Sequence, residues 1–350
     1  MSSNKIDLRG LSKSEMEKFF ENLGEPKFRA TQVMEWIHGK GVSSFDEMTN
    51  LPKDLRMKLG DVAQISPLII LKKQVSKIDG TRKYLFKLHD GNTIESVLMF
   101  HDYGISVCLS TQVGCKMGCG FCATAIGGFK RNLSAGEIIS QAITISRDLT
   151  EENERISSVV LMGMGEPLDN YDNSIKAIRL LNLPQGLNIG NRRITISTCG
   201  LIHGIRRLSE EGLPITLAIS LHAPNDRLRT KLMPINRRYP LKELLKVCKE
   251  YIQKTKRRVT FEYALIKGVN DSKGAARELV TILRGMLCHV NLIPINAVRE
   301  RKYEPTERSQ VNEFLRELEQ GGISATIRRG MGADIHGACG QLRKRELKER

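Results

Sequence analysis

Short apolar segments alternate with amphipathic segments along the chain from about residue 104 onward. The apolar segments have the length and composition of buried strands, and the longer segments between them repeat their apolar residues with helical spacing. We predict strands at 105–110, 158–162, 193–197, 215–221, 259–265, 289–295 and 323–327. We predict helices between them at 135–147, 174–181, 202–211, 241–254, 273–284 and 307–319. This order predicts six parallel βα units and a last strand, which is an α/β fold with a partial (β/α)6 barrel.

The first hundred residues follow a different pattern. Residues 12–23 and 29–39 have helical periodicity, and Ser12 with Glu15 forms a capping-box pattern at the start of the first helix. Between residues 66 and 99, strand-like apolar runs are separated by Asp-Gly dipeptides, which favour hairpin turns. We therefore predict a small N-terminal helical domain and a short antiparallel β segment before the barrel. The predicted divisions are 1–62, 63–103, 104–342 and a basic tail at 343–350.

Composition adds a strong positive charge to this picture. The 350 residues carry a formal net charge of +16 and are 40% hydrophobic, so we predict a folded chain with a basic surface. Nucleic acid is the partner that this charge favours. The N-terminus lacks an apolar segment and no run of 18 apolar residues occurs, so we expect a cytoplasmic protein without a membrane span.

Cys115, Cys119 and Cys122 form a C-x3-C-x2-C triplet in a glycine-rich loop after the first predicted barrel strand. Iron-sulfur clusters are usually held by four cysteine thiolates, so three suggest a [4Fe-4S] cluster with one iron open to another ligand. Structural zinc fits less well, because it takes a fourth Cys or His and usually two paired knuckles. Simple burial of the cysteines is the other alternative, but the neighbouring glycines are not typical of a packed core.

Polar groups and glycines follow the predicted strands at the ends where the loops of a parallel barrel converge. The candidates for cofactor binding are Gly165, Glu166, Ser197, Ser220, Leu221, His222 and Asn296. Gly165 would let a ligand approach the backbone closely, and Glu166 would accept a hydrogen bond from an ammonium group. Each residue also has an ordinary structural explanation, for example Ser197 as a helix cap and His222 as a buried structural histidine. Their shared location favours a binding site.

Longer motifs extend the pattern over nearly the whole chain. They are the runs 115–124, 128–133, 163–168, 220–226, 233–236 and 337–342. With these runs the chain resembles the RlmN/Cfr family of radical S-adenosylmethionine (SAM) RNA methyltransferases, and within that family the RlmN branch. The resemblance implies a [4Fe-4S] cluster on the three cysteines and two SAM molecules per turnover. It also implies methylation of C2 of an adenine in 23S ribosomal RNA and of adenine-37 in tRNA.

The same resemblance implies roles for three further residues. Cys339 would accept a methyl group from one SAM, and a radical made from a second SAM would remove a hydrogen from that methyl, whose carbon then adds to adenine C2. Cys108 would attack the Cys339 sulfur, forming a transient disulfide and releasing the RNA. Glu95 matches a proton-accepting carboxylate, and either Glu95 or Cys108 would take the C2 proton. From the residues alone, Cys108 could equally be a buried strand residue and Glu95 a solvent-facing one.

Two other functions stay open at this point. A Cfr-like enzyme would apply the same chemistry to adenine C8, and a non-catalytic RNA-binding protein would use the cluster for structure or redox sensing. We further expect 23S rRNA and tRNA as partners, an external electron donor such as flavodoxin, and a monomer. Cys199, Cys248 and Cys288 lack the settings of reactive cysteines, and we predict that they are packing residues.

Overall fold

The computed structural model describes residues 5–150, 152–295 and 302–335. Its N-terminal part is helical, as predicted, and a two-stranded parallel pair joins its beginning to its end. The elements are β1 (Ile6–Asp7), α1 (Lys13–Asn22), α2 (Phe28–Met34), α3 (Lys53–Val62) and β2 (Ala63–Gln64). The Ser12 capping box is confirmed, because Ser12 Oγ accepts from the Glu15 amide while Glu15 Oε2 accepts from the Ser12 amide.

The antiparallel segment is continuous with the main sheet. It comprises β3 (Ile69–Val75), β4 (Arg82–Lys87) and β5 (Thr93–His101), and β5 pairs with β6 (Gly104–Cys108), the first barrel strand. A separate hairpin follows, formed by β7 (Gln112–Gly114) and β8 (Phe129–Asn132). The cysteine triplet lies in the connection between these two strands, so the hairpin closes the base of that loop.

The rest of the described chain alternates helices and strands. In order they are α4 (Ala135–Thr150), β9 (Ile156–Leu161), α5 (Tyr171–Leu181), β10 (Ile194–Thr198), α6 (Ile202–Glu210), β11 (Thr216–Ser220), α7 (Asp226–Leu232), α8 (Leu241–Thr255), β12 (Val259–Leu265), α9 (Lys273–Leu283), β13 (Cys288–Pro294), α10 (Arg308–Gln320) and β14 (Ala325–Ile327). The predicted strands and helices are present, with ends that mostly differ by one to three residues.

One ten-stranded sheet organises the molecule, in the order β14-β13-β12-β11-β10-β9-β6-β5-β4-β3. Within this sheet, β6 and the strands from β9 to β14 are parallel and neighbour one another in sequence order, with a helical crossover between each pair. Within the described ranges β14 and β3 are the two edges of the sheet, so the barrel is open. This confirms the predicted α/β fold with a partial barrel. It also places all the barrel loops that follow strands at one end.

Among the elements that the sequence pattern missed, α7 and β8 border the cysteine loop. Helix α7 has seven residues, most of them charged or polar, and its beginning depends on the Asn225 side chain, which accepts a hydrogen bond from the Leu228 amide at 3.0 Å. Strand β8 contains Phe-Lys-Arg-Asn, which has no apolar alternation, and it forms only because β7 pairs with it. At these positions, contacts with other parts of the chain stabilise the element more than the propensity of its own residues does.

Burial explains which strands could be recognised from sequence. Every residue of β12 is buried, as in a parallel strand covered on both faces, and its apolar run was predicted with the correct ends. Strand β14 is shorter than predicted because it lies at the edge and pairs on one side with β13. No helix in the described ranges is long and apolar enough to cross a membrane.

Arg9 joins the N-terminal helices to the barrel. Its side chain is 2% exposed, and its Nη2 donates to the Val42 carbonyl at 2.8 Å. Its Nη1 lies 3.3 Å from both the Ser66 carbonyl and Ser140 Oγ, and Ser140 belongs to α4. These bonds compensate part of the cost of burying the guanidinium and fix the N-terminal segment against α4.

His38 introduces a pH-sensitive position into this N-terminal part. Its side chain is buried, and neither ring nitrogen has a hydrogen-bond partner in the described structure. Burial, with a smaller effect of the Arg9 charge, lowers the pKa of His38 to about 3. The folded chain therefore keeps this imidazole neutral at pH values where an unfolded histidine takes up a proton.

We predict that His38 makes the protein less stable as the pH falls below about 6.5, because protonation then favours the unfolded chain. Between pH 7 and pH 5 the loss should approach about 2 kcal/mol, and His38→Leu should remove it. Urea unfolding of the two proteins at several pH values measures the difference. His89, whose side chain is 70% exposed, is the matched control, and His89→Leu should not remove this loss. Equal pH dependence in wild type and His38→Leu would contradict the prediction.

Gly114 is the position in the hairpin where a side chain cannot be accommodated. Its φ is +76°, and a Cβ there would lie 1.7 Å from the Gly128 carbonyl oxygen. Gly118, in the cysteine loop, has a similar φ of +71°, but a Cβ there would meet its nearest atom, Pro234 Cγ, at 3.7 Å. Both glycines therefore have the left-handed backbone conformation, but only Gly118 has room for a Cβ atom.

We predict that Gly114→Ala destabilises the protein by roughly 3 kcal/mol or more, because a backbone carbonyl must move to make room. Gly118→Ala should cost only about 1 kcal/mol, the price of a left-handed alanine. Urea unfolding of both variants tests the comparison. A Gly114→Ala protein as stable as Gly118→Ala would show that the hairpin opens without penalty.

Candidate functional site

A cavity of about 370 Å³ lies at the carboxyl ends of the parallel strands. Nine of the predicted site residues line it, namely Cys108, Cys115, Cys119, Cys122, Gly165, Glu166, Ser197, Ser220 and His222. Glu95 and Leu221 are outside this lining: Leu221 lies between the lining residues Ser220 and His222, and Glu95 lies two residues before the lining residue Val97. Asn296 and Cys339 lie outside the described residues. The fold thus brings together residues separated by more than a hundred positions in sequence.

The cysteine loop is held by backbone hydrogen bonds at its base and in its middle. The Cys115 amide donates to the Gly128 carbonyl at 3.0 Å, which closes the loop against β8. The Gly120 amide donates to the Leu232 carbonyl at 2.8 Å, which attaches the loop to α7. These contacts hold the three thiols at one end of the cavity.

The three thiols share a partly buried environment. Burial raises the pKa of Cys115 to about 12 and also raises that of Cys119, and the neighbouring cysteines add to both shifts. Ionised thiolates at this position therefore need a positive metal centre beside them. No three His, Cys, Asp or Glu side chains in the described ranges form a ready-made site for one metal ion. Three thiols that line one cavity match the three-cysteine set expected for a [4Fe-4S] cluster, in which each cysteine binds a different iron.

Glu166 and Gly165 form the wall next to the cysteines. Glu166 is buried, with Oε2 accepting from the Cys199 amide at 2.8 Å and Oε1 from the Leu168 amide at 3.1 Å. Burial raises its pKa, although these donors act in the opposite direction. Gly165 has φ +103°, and a Cβ there would lie 2.5 Å from Gln112 Cβ. The glycine is therefore required where the loop after β9 meets β7.

His222 is a neutral histidine in the opposite wall. It has φ +57°, which is uncommon for a residue with a side chain, and its Nδ1 accepts from the Ala264 amide at 2.9 Å. Burial, with the nearby Arg229 charge, lowers its pKa to about 3. A neutral imidazole that accepts at Nδ1 carries its proton on Nε2. The Phe121 ring, from the cysteine loop, packs edge-on against it with a centroid distance of 4.9 Å.

Cys108 lies in an apolar patch on the other side of the cavity. It is 6% exposed and packs with Val97 and Met99 of β5, its neighbouring strand. Met331, which follows β14, packs against the same patch. The C-terminal part of the described chain therefore passes beside Cys108, eight residues before Cys339.

Glu95 is buried, so its interpretation as a solvent-facing strand residue is wrong. The side chain is 3% exposed, and Lys83 Nζ, itself fully buried on β4, lies 3.7 Å from Glu95 Oε2. Side chains alternate along a strand, so Glu95 is on the same face of β5 as Val97 and Met99, which line the cavity.

The structure adds lining residues that the sequence interpretation missed. Cys199, predicted as packing, lines the cavity next to Cys119, whereas Cys248 and Cys288 are buried in α8 and β13. Glu262 of β12 also lines the cavity. A signal for Glu262 was present, since it is a charged residue inside the apolar run 259–265. Arg328 and Arg329 add positive charge to the lining.

Comparison with known proteins agrees with this architecture. Residues 6–65 match the model of the ribosomal RNA large subunit methyltransferase N-terminal domain, and residues 109–280 match the radical SAM superfamily. A radical SAM methyltransferase from Sphaerobacter thermophilus has a similar crystal structure, with a TM-score of 0.92 and 45% identity, covering 96% of this chain and 98% of that one.

Relatives from bacteria are similar over almost their whole length. The probable dual-specificity RNA methyltransferase RlmN of Thermoanaerobacter sp. (strain X514) is 54% identical over 344 residues, which cover 98% of this chain and 99% of the relative. The protein of the same description from Pelotomaculum thermopropionicum is 56% identical over 343 residues, covering 98% of this chain and 92% of the relative. At this identity and coverage, the chain belongs to the RlmN family of radical SAM RNA methyltransferases.

Proposed function

We propose that this enzyme methylates C2 of an adenine in 23S rRNA and of adenine-37 in tRNA, through a methylated Cys339 and a transient disulfide between Cys108 and Cys339. The observation that carries the proposal is the single cavity that Cys108 shares with Cys115, Cys119 and Cys122. A plain iron-sulfur RNA-binding protein has no need of a further thiol beside the cluster cysteines. Relatives described as dual-specificity RNA methyltransferases support both RNA substrates.

Each part of the cavity has a distinct task in this proposal. Cys115, Cys119 and Cys122 would hold a [4Fe-4S] cluster which, with SAM and an electron from a donor such as flavodoxin, supplies a 5′-deoxyadenosyl radical. The residues that would bind SAM are Gly165, Glu166, Ser197, Ser220, Leu221, His222 and Asn296. Glu166 would accept a hydrogen bond from the ammonium group of SAM, and His222 would donate a hydrogen bond from Nε2. Leu221 is outside the cavity lining and contributes by its position in the chain between Ser220 and His222, which both line the cavity.

The two catalytic cysteines divide the methyl transfer between them. The Cys339 thiolate takes a methyl group from one SAM, and a second SAM is consumed when a hydrogen is removed from that methyl. After the methylene carbon has bonded to adenine C2, the adduct radical must lose one electron, for which the cluster would be the acceptor, and either Glu95 or Cys108 takes the C2 proton. The Cys108 thiolate then attacks the Cys339 sulfur to form the disulfide. The bond between Cys339 sulfur and the methylene carbon breaks, its electron pair stays with the base, and the carbon takes up a proton to become the methyl group. Met331 beside Cys108 supports this pairing, because eight residues of chain span up to about 27 Å.

Glu95 is equipped to accept a proton. Its carboxyl group is buried, with Lys83 Nζ 3.7 Å from Oε2, and Val97 and Met99 continue the same strand face to the cavity. The RNA would be attracted by the basic surface, including Arg328 and Arg329 at the cavity, and by the N-terminal domain 1–62. The target adenine must leave its stack to reach the cysteines, as in other base-modifying enzymes. We place a monomeric enzyme in the cytoplasm, where its rRNA and tRNA substrates are found.

Cys339→Ala should abolish RNA methylation, because no thiolate remains to carry the methyl group. Reductive cleavage of SAM should continue, since the three cluster cysteines are unchanged. Anaerobic assays with 23S rRNA and tRNA fragments measure both products, the modified nucleoside and 5′-deoxyadenosine. Cys288→Ala, which removes a thiol buried in β13, is the matched control and should retain methylation. Methylated adenine made by Cys339→Ala would contradict the proposed route.

Cys108→Ala should leave the enzyme joined to RNA, because methyl-carbon transfer to C2 precedes the step that needs Cys108. We expect an RNA-protein adduct that survives denaturing electrophoresis and disappears when Cys339 is also replaced. Turnover of Cys108→Ala at the wild-type rate, with free methylated RNA, would exclude the disulfide step.

The modified nucleoside distinguishes the remaining alternatives. We expect mass spectrometry against authentic standards to identify 2-methyladenosine, whereas 8-methyladenosine would establish the Cfr-like alternative. Formation of no 5′-deoxyadenosine under anaerobic reduction with SAM would instead favour a non-catalytic RNA-binding protein. Formation of 2-methyladenosine in rRNA fragments but not in tRNA would limit the proposal to one substrate.

A further inference from the structure

Glu262 is an acidic side chain in the middle of a buried strand. Its neighbours in β12, Phe261 and Tyr263, are fully buried, and Glu262 itself is 3% exposed. It nevertheless lines the cavity that contains the cysteines. Carboxylates are rarely buried to this extent without a partner, so this position calls for a ligand or a compensating group.

Only one of its two carboxylate oxygens has a hydrogen-bond partner in the described structure, and the Arg328 charge, in the same cavity lining, acts on the carboxyl group as a whole. Oε1 accepts a hydrogen bond from Asn291 Nδ2 at 3.0 Å, and Oε2 is buried without a hydrogen-bond partner. Asn291 is held in turn, because its Oδ1 accepts from Thr326 Oγ1 at 3.0 Å. The Asn291 amide group therefore cannot rotate to serve Oε2 without losing a bond to Thr326. The geometry fixes the carboxylate and leaves one oxygen for a donor from the cavity.

Glu262 lies next to residues of the proposed SAM site. Glu262 is the Cα partner of Ser220 on the adjacent strand, and its carbonyl accepts from the amides of Leu221 at 3.0 Å and His222 at 3.3 Å. Strand β12 is three strands away from β9, which is followed by Gly165 and Glu166. At about 4.8 Å between neighbouring strands, the two walls are up to about 14 Å apart. Glu262 thus faces the part of the cavity away from the Glu166 wall.

The hydrogen-bond donors of SAM decide which of its groups fits Glu262 Oε2. Its hydrogen-bond donors are the ammonium group, the ribose hydroxyls and the adenine amino group. In the proposed arrangement the ammonium lies beside Glu166 and the cysteine loop, so the nucleoside extends towards β11 and β12. A carboxylate oxygen beside the Ser220 hydroxyl, on adjacent strands, offers two acceptors to a vicinal diol.

We infer that Glu262 Oε2 accepts a hydrogen bond from the ribose diol of SAM and so selects for the intact ribose. The inference rests on the proposed SAM site. It assigns to Glu262 a binding contact in addition to those of Ser220 and His222. Asn291 is then a positioning residue, because it acts through the carboxylate that it holds.

SAM binding tests the inference without turnover. The protein, with its cluster reconstituted anaerobically, is titrated with SAM and with its 2′-deoxy and 3′-deoxy analogues in the absence of RNA and reductant. Wild type should bind SAM roughly 10- to 100-fold more tightly than at least one analogue, as expected for a hydrogen bond to a charged group. Glu262→Met, which has similar length and no acceptor oxygen, should bind SAM more weakly by a comparable factor and lose the preference over that analogue.

Two further variants make the result specific. Glu166→Gln changes the other buried carboxylate of the cavity, and it should weaken SAM binding while keeping the ribose preference of wild type. Glu262→Gln retains the size of the side chain and an oxygen for Asn291. It provides the comparison if Glu262→Met does not fold, and its loss of preference should be smaller and in the same direction.

Three results would overturn the inference. The first is that wild type binds SAM and both deoxy analogues equally. The second is that a Glu262 variant keeps the full wild-type preference for SAM over the analogue. Alternatively, the Glu262 variants would bind SAM normally but lose affinity for RNA, which would assign the carboxylate to the target adenine. Failure of the proposed methyl transfer is distinct, because it would appear as missing methyladenosine with the SAM preference intact.

Discussion

The hydrogen bonds of Arg229 hold the walls of the cavity together. This side chain is completely buried, and its Nη2 donates to the Cys199 carbonyl at 2.7 Å and to the Ser220 carbonyl at 3.3 Å. Its Nε reaches the Leu221 carbonyl, and its Nη1 donates to Asn236 Oδ1 at 2.9 Å. One guanidinium thus connects the ends of β10 and β11 with the turn after α7. Parallel strands leave such carbonyls at their ends, and in a buried site each needs a donor.

This arrangement extends to the cysteine loop and to Glu166. Arg229 belongs to α7, and the last residue of that helix, Leu232, accepts the hydrogen bond from Gly120 in the loop. Glu166 attaches the loop after β9 to the Cys199 amide, while Arg229 holds the Cys199 carbonyl. The cysteine triplet and the proposed SAM residues are therefore positioned by the same few buried polar groups. Removing a buried charge from such a network leaves its partners unsatisfied, so the network acts as a unit.

Local pattern was sufficient for much of the fold. The βα alternation predicted the parallel strands, and the run 259–265 was placed at its observed ends because every residue of β12 is buried. The same reasoning missed α7 and β8, whose residues are polar and which exist because Asn225 and β7 support them. For the site, we predicted from the convergence of strand ends that polar groups there lie together. The five residues that line the cavity as predicted are Gly165, Glu166, Ser197, Ser220 and His222. That prediction did not include Cys199 or Glu262, because alternation alone does not say which strand face meets a cavity.

The sequence by itself determined the kind of chemistry, because that information is local. Three cysteines within eight residues are a covalent spacing that any fold of this chain must keep. The tertiary structure decided which groups act together, because this depends on sheet order and burial. It placed Cys108 and the cysteine triplet in one cavity, buried Glu95 beside Lys83, and lowered the pKa of His222 by burial. It also left Glu262 Oε2 without a partner, since that depends on the register of β12 with β13 and on the bond from Asn291.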